Sequence, residues 1–503
     1  MKKIFALFLV MFALLPYLVA CGEKNNGDTD TNTDTNTDTS TATDTEETGG
    51  EDDDKKINSK DTILKDWDGK TLNVLATKWY SENPCPPWSV IELYVKDRDD
   101  NSGYGTKINN AVLDRAKYIK DTYGVTLNWI TAGPTEVSNL VATSLKDDKA
   151  GVKYHLAMPR LIEAQNLVQA NLLYDMASSK YIDFDQSYYS QTAREAYTAA
   201  GHTFFAAGDS SFLDEWTTNL LFFNKTWAED LKLDLYKMVK DGTWTLDKLV
   251  EFSKAVGADD GDGEWTDKDT YGLGLTNPSM IITASGIQQV KVNPDTGLYK
   301  LTVNDDKLGT AIDKILQFQT AEWCRSSWGN YWATAGALLE GRLLFMQEVV
   351  QHIYDFNSAE DIEVSVLPLP KLSEEQENYA TSCTYMAVAL CIPRTTDDRA
   401  FSEYFVDVLS WTGQEYTMSK FYENIRAALP DDDGVSFGIL KDYILDRIVY
   451  DNGLFDNWGG LVKDFSKSWS DGQNKFAEIY GKAVDAANET ISTWNDSWKN
   501  YKD

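Results

Sequence analysis

The chain has 503 residues, 42% of them hydrophobic, and a formal net charge of −32. That length supplies core for about two to three domains, and the acidic balance excludes nucleic acid and anionic membrane surfaces as default partners, since both are bound through basic patches. None of the five cysteines forms a CxxC pair, so a zinc or thioredoxin-type reading has no support, and the pairing of Cys85, Cys324, Cys383 and Cys391 stays open.

In chain order, the first segment carries Lys2 and Lys3, then an apolar run from Ile4 to Ala20. These are the charged and apolar regions of a secretory signal, in a run too short for a comfortable membrane span. It closes on Leu18-Val19-Ala20-Cys21, which resembles the bacterial lipobox. The resemblance implies removal of residues 1–20, lipidation of the Cys21 thiol, and a chain held at the extracellular face of a bacterial membrane by its lipid alone. An ordinary cleaved signal is the alternative. Residues 21–56 hold a Thr/Asp/Asn repeat followed by Glu51-Asp52-Asp53-Asp54, with almost nothing apolar. Such a stretch has no core to offset its ordering entropy and reads as an extended tether. The part from Gly22 to Asp54 holds roughly a third of the excess negative charge.

Leu72–Thr77 reads as a buried first strand. Trp79, Tyr80 and Trp88 follow it, in a loop where α/β folds place ligand contacts. Val112, Ala116, Ile119 and Tyr123 share one face of a helix, with Gly124 at its C′ position. Val125–Trp129 predicts a second strand, Val137 to Leu145 a second helix, and Tyr154–Met158 a third strand before Pro159 and Arg160. Strand, helix, strand, helix, strand is an α/β pattern with a parallel sheet. Far downstream, Phe476, Tyr480, Ala483, Ala487 and Ile491 repeat at helical spacing.

A further set of segments recurs in a recognisable order. It comprises Asn171–Met176, Tyr181–Phe184, Gly208-Asp209, Leu221–Lys225 and Gly242–Leu249. It continues with Gly336–Met346, Val366–Lys371 and Ala387–Pro393. The set resembles the family 1 extracellular solute-binding proteins, the substrate-capturing lipoproteins of ABC importers, many of which handle sugars. The resemblance implies an α/β, two-lobed, periplasmic-binding-protein-like fold with a ligand cleft between the lobes. It assigns residues 57–208 and 326–382 to lobe I, and 209–325 and 383–503 to lobe II. The crossings fall near Gly208-Asp209, Ser326–Trp328 and Thr381–Thr384. It further implies a monomer with a carbohydrate ligand, most simply an oligosaccharide, and a permease and ATPase on other chains. It implies no cofactor, no nucleic acid and no chemistry. The alternatives are a surface glycan-degrading or glycan-adhering lipoprotein, or the same fold holding a peptide or signalling molecule.

Enzyme motifs read weakly. Gly434-Val435-Ser436-Phe437-Gly438 matches G-x-S-x-G, but a polar loop rather than a strand precedes it. His155 sits in an apolar strand and reads as a core histidine. Asp259–Glu264 invites calcium, yet an EF-hand register from Asp260 puts Trp265 where glycine is required, leaving a solvated turn as the plainer reading. For a binding cleft the chain is richer, with 16 tryptophans whose faces can pack on sugar C–H faces. The candidate ligand contacts are Trp79, Tyr80, Arg160, Asp209, Trp216, Trp328, Tyr331 (with its neighbour Trp332) and Trp458. Aromatic rings would stack the sugar, and Asp or Arg would pair its hydroxyls.

Overall fold

A computed structural model describes residues 56–78, 98, 105–133, 136–146, 153–303, 305–326, 331–356, 362–384, 386–430, 432, 434–455 and 472–503. Cys21, Cys85, the signal segment and nearly all of the tether lie outside that set. No described helix is long and apolar enough to cross a membrane.

The first sheet matches the sequence pattern closely. β1 (Thr71–Thr77) buries Leu72, Val74, Leu75 and Ala76, the continuous apolar string of a strand covered on both faces. α1 (Thr106–Tyr123) turns Ile108, Val112, Ile119 and Tyr123 inward. It stops at Gly124, whose φ of 73° and whose approach to Asp68, 1.8 Å from where a Cβ would lie, admit only glycine. β2 (Thr126–Ala132), α2 (Val137–Lys146) and β3 (Leu156–Met158) follow. The strand order is β2-β1-β3, all parallel, with Leu72 opposite Leu127 and Leu75 opposite Ala157.

The chain leaves this region at Gly208 and crosses through a single short helix turn, α3 (Leu213–Trp216). It then enters a second, mixed sheet. This is built from β4 (Asn219–Asn224), β5 (Tyr271–Leu275), β6 (Cys324–Ser326), β7 (Leu343–Val349) and β8 (Val364–Leu367), with α4 (Tyr331–Leu339) between β6 and β7. The order is β6-β5-β7-β4-β8; β6, β5 and β7 run parallel, and β4 runs antiparallel to β7 and β8. Asn224 ends β4 because its side chain accepts from Trp227 N (2.8 Å), capping the next helix. Thr245 occupies the N-cap position of the helix Leu246–Val256 with no side-chain bond.

Two expectations about the lobes are corrected here. Residues 326–382 were expected in the first lobe, with a crossing near Ser326–Trp328. Instead β7 and β8 pair within the second sheet. Residues 383–503 were expected in the second lobe, yet isolated bridges join Cys391 to Ala157, Val388 to Arg160 and Leu390 to Ala206. α5 (Arg399–Thr412) then packs Phe401, Tyr404 and Phe405 on Trp67, with Tyr404 and Phe405 also on Tyr123. α6 (Ser419–Ala428) continues it on the first-lobe side, and α7 (Val435–Tyr443) returns to β8. The physical reason is that a fully buried strand carries no local mark of which sheet it joins.

The last helix, α8 (Phe476–Lys499), buries Phe476, Ala483, Ala487 and Ile491 as the spacing predicts, together with Trp494 and Trp498. It lies across both halves. Trp498 Nε1 donates to Gln165 Oε1 (3.0 Å) beside the first sheet, and Asn474, just ahead of the helix, donates to Asp313 Oδ1 (2.7 Å) on the second-sheet side.

Candidate functional site

The strand directions put the carboxyl ends of β1, β2 and β3 on one edge, and those of β5, β6 and β7, with the start of β4, on another. One short segment, which turns where Ala387 N donates to the Thr384 carbonyl (3.2 Å), joins the two edges. Cys383 bridges Thr218 at the second edge, and Val388 bridges Arg160 at the first. Five residues span at most about 17 Å, so the edges stand close enough for one small ligand to touch both. Crevices outside strand carboxyl ends are where open α/β sheets hold ligands.

The second edge is tightly organised. Gln347, in β7, accepts at Oε1 from Asn277 N (2.6 Å) and Thr276 N (3.2 Å), and donates from Nε2 to Asn219 Oδ1 (2.9 Å). This one buried amide ties the ends of three strands together. Above it, Tyr331 stacks on His352 with ring centroids 4.0 Å apart and 28° between planes. Asp355 Oδ2 accepts from the Tyr331 hydroxyl (2.7 Å) and sits 2.6 Å from His352 Nδ1. Gln351 Nε2 lies 3.0 Å from His352 Nε2. The imidazole thus has an acid at Nδ1 and an amide at Nε2. Burial works against the Asp355 charge, but the bonds from His352 and Tyr331 outweigh it and hold the carboxyl below its usual range. Nearby Glu348 has its pKa raised by burial, partly offset by His352.

Trp332 is the exception to this order. Its ring packs edge-on to Tyr331 (4.9 Å, 75°) and is 74% exposed, the most open large apolar side chain among the described residues. Sequence reasoning had noted it only as part of a cluster.

The other candidates fall in different places. Arg160 follows β3 at the first edge, as expected, but is buried with its guanidinium 3.7 Å from Glu163, whose Oε1 also accepts from Ser138 (3.2 Å). Trp216 is buried against Phe212, Tyr354 and Phe421, so its faces are taken up in packing. Asp209 lines a separate cavity described below. Trp79, Tyr80, Trp328 and Trp458 lie outside the described residues. The structure therefore brings Tyr331 together with Trp332, His352 and Asp355, three partners of which the sequence signalled only Trp332.

The remaining motifs resolve into packing. Ser436 is buried, and its hydroxyl joins Tyr236 (2.7 Å), Ser365 (2.9 Å) and Asp432 (2.5 Å) in a network tying α7 to β8, at a helix start rather than a strand end. His155 Nδ1 accepts from Asn73 N (2.9 Å) beneath Phe401, and burial lowers its pKa. Carboxylate oxygens of Asp259, Asp260 and Asp262 come within 4.8 Å of one another in an exposed loop, and all three accept backbone N–H groups of that loop. Cys324, Cys383 and Cys391 are buried free thiols.

No protein-family model and no curated protein sequence matches the chain. Solved structures do. The galacto-N-biose-/lacto-N-biose I-binding protein of an ABC transporter from Bifidobacterium longum, in complex with lacto-N-biose, superposes with a TM-score of 0.52 at 14% identity, over 84% of this chain and 97% of that one. A cyclo/maltodextrin-binding protein complexed with maltotetraose gives 0.51 at 12% identity, over 86% and 98%. Maltose-bound MalE3 of T. maritima gives 0.50 at 13% identity, over 84% and 100%. The chain has the two-lobed, periplasmic-binding-protein-like α/β fold. In these terms the three-stranded sheet with its helices belongs to the first lobe and the five-stranded sheet to the second.

Proposed function

We propose that this protein is a family 1 extracellular solute-binding protein: the carbohydrate-capturing component of an ABC importer, anchored outside the cell by a lipid on Cys21. The observation that carries the reading is the open ring of Trp332 on an otherwise tightly bonded cleft edge. An exposed tryptophan beside fixed acceptors and donors is what a sugar requires, an apolar face for its C–H groups and polar atoms for its hydroxyls. The fold supports the reading, and the three relatives named above carry lacto-N-biose, maltotetraose or maltose in their structures.

The mechanism is capture without chemistry. A ligand lying on Trp332 and Tyr331 would also reach the first edge, and so favour the closed arrangement of lobes. The closed form is what a permease would engage; permease and ATPase are separate chains, and the binding protein acts as a monomer. The test is calorimetric titration of the whole chain with a panel of oligosaccharides and a counter-panel of short peptides. Reversible, stoichiometric binding of a sugar recovered unchanged supports the reading. Binding of peptides alone would keep the fold and remove the sugar, and consumption of the sugar would make the protein an enzyme.

A further inference from the structure

A cavity of about 520 Å³ lies beside the first crossing between the lobes. One wall belongs to the first lobe, from Tyr188 and from the helix joining α5 to α6. The other belongs to the second lobe, from Lys441, Asp446 and Tyr450. α3 runs between them and contributes Asp214 and Glu215. Tyr331, Trp332, His352 and Asp355 take no part in its lining, so it is distinct from the carboxyl-edge cleft. The crossing is close-packed here. The helix widens to π geometry over Gly413–Met418, and a Cβ on Gly413 would fall 1.8 Å from the Asp209 carbonyl oxygen.

The walls are acidic and their acids are poorly supplied with donors. Asp209 accepts from Gln414 Nε2 (2.7 Å), and Asp214 accepts from the Tyr450 hydroxyl. Glu215 Oε2 is closed off from solvent without a hydrogen-bond donor, with the Asp214 carboxylate as its electrostatic neighbour. Burial pushes Asp209 up to about 7; burial and then the Asp214 charge push Glu215 well above the usual carboxylate range. Lys441 is the one lysine or arginine of the lining, and Asp446 already engages it at 3.1 Å. A buried carboxylate with no counter-charge is costly, so burial favours the protonated forms of Asp209 and Glu215.

Their geometry points to the kind of cation. Among the described residues, only Asp259, Asp260 and Asp262 converge as a metal-sized trio of acids; those of the cavity do not. Tyr422, Met418 and Ile448 add aromatic and aliphatic wall, which suits a hydrocarbon body and a charged nitrogen over a ring. We propose that this cavity binds a small organic ammonium compound, an amine or short diamine, that bridges the two lobes at their crossing, independently of the carbohydrate cleft. Binding pairs the ammonium with an ionised Asp209, which releases its proton to solvent. Asp214, Glu215, Asp446, Lys441, Tyr188, Tyr189, Tyr422 and Tyr450 are the other titratable groups lining the cavity.

The test is titration of the whole chain with 1,4-diaminobutane at pH 6 and pH 8, ligand pH-matched to protein. A group of pKa about 7 that must lose its proton makes affinity about tenfold tighter at pH 8. The expected result is saturable one-to-one binding with that pH dependence, weakened at least tenfold in Asp209→Asn. Ser419→Trp, at the exposed rim of the cavity, should abolish diamine binding by filling the entrance and leave carbohydrate titration unchanged. The proposal is overturned if the diamine does not bind at 10 mM at either pH, if affinity is the same at both, or if Ser419→Trp binds it as the parent does.

Discussion

Asp355 is an exposed carboxyl and Asp209 a largely buried one, and their pKa values move in opposite directions from the ordinary carboxylate value. Asp355 has two good donors, Tyr331 and His352, and is held below its ordinary range. Asp209 has Gln414 alone, and burial takes it up to about 7. Depth and donor supply together separate a carboxylate that orders a ligand platform from one that waits for a partner. The same contrast runs through the two sites: the cleft edge is satisfied and rigid with one open ring, while the crossing cavity is enclosed and short of positive charge.

The largest effect expected from breaking this contrast is on the pH dependence of stability. The folded pKa of Asp209 lies above the ordinary carboxylate value of 3.8. Between about pH 4 and 7 the folded chain holds that proton and the unfolded chain does not. Stability therefore falls as pH rises through that window and is level above it. Asp209→Asn should keep the Gln414 bond and make the slope shallower by the Asp209 contribution. By chemical denaturation it should gain on the parent by on the order of a few kcal/mol from pH 4 to 7. Equal slopes in parent and variant would mean the carboxyl is ionised throughout.

Next in size, Gly413→Ala forces a methyl into the Asp209 carbonyl and should cost about 1–3 kcal/mol, read as a lower denaturation midpoint at unchanged m-value. A neutral outcome would place slack where the two segments touch. Smaller again, Tyr331→Phe removes one of the two donors to Asp355 and should cost about 1 kcal/mol of stability. It should also raise the Asp355 pKa, as read by carboxyl NMR titration. No movement of that pKa would leave the His352 bond as sufficient by itself.

Sequence made the first lobe legible because its signals are local. The apolar string at Leu72–Thr77, the helical face ending at Gly124 and the apolar 154–158 run each announce an element without reference to the rest of the chain, and each element is found. The lobe boundaries were not legible, because Leu343–Val349 and Val364–Leu367 are buried on both faces and their partner β4 lies more than a hundred residues upstream. The site divides in the same way. Tyr331 and Trp332 stand out by residue type, whereas His352 and Asp355 become partners only because β6 and β7 end on the same edge. Trp216 misled for the converse reason: a tryptophan's identity says nothing about which of its faces Phe212, Tyr354 and Phe421 occupy.

The most direct measurement is a calorimetric comparison of the parent and Trp332→Ala with the tightest-binding oligosaccharide of the panel. Trp332 is 74% exposed, so its removal should leave stability within about 0.5 kcal/mol. Losing its face should weaken the sugar about tenfold, or about 1.4 kcal/mol. A weaker but still stoichiometric complex with an unaltered fold is the expected result. Identical affinity in parent and variant, or no sugar binding to either, would contradict the assignment of the cleft edge as a carbohydrate site.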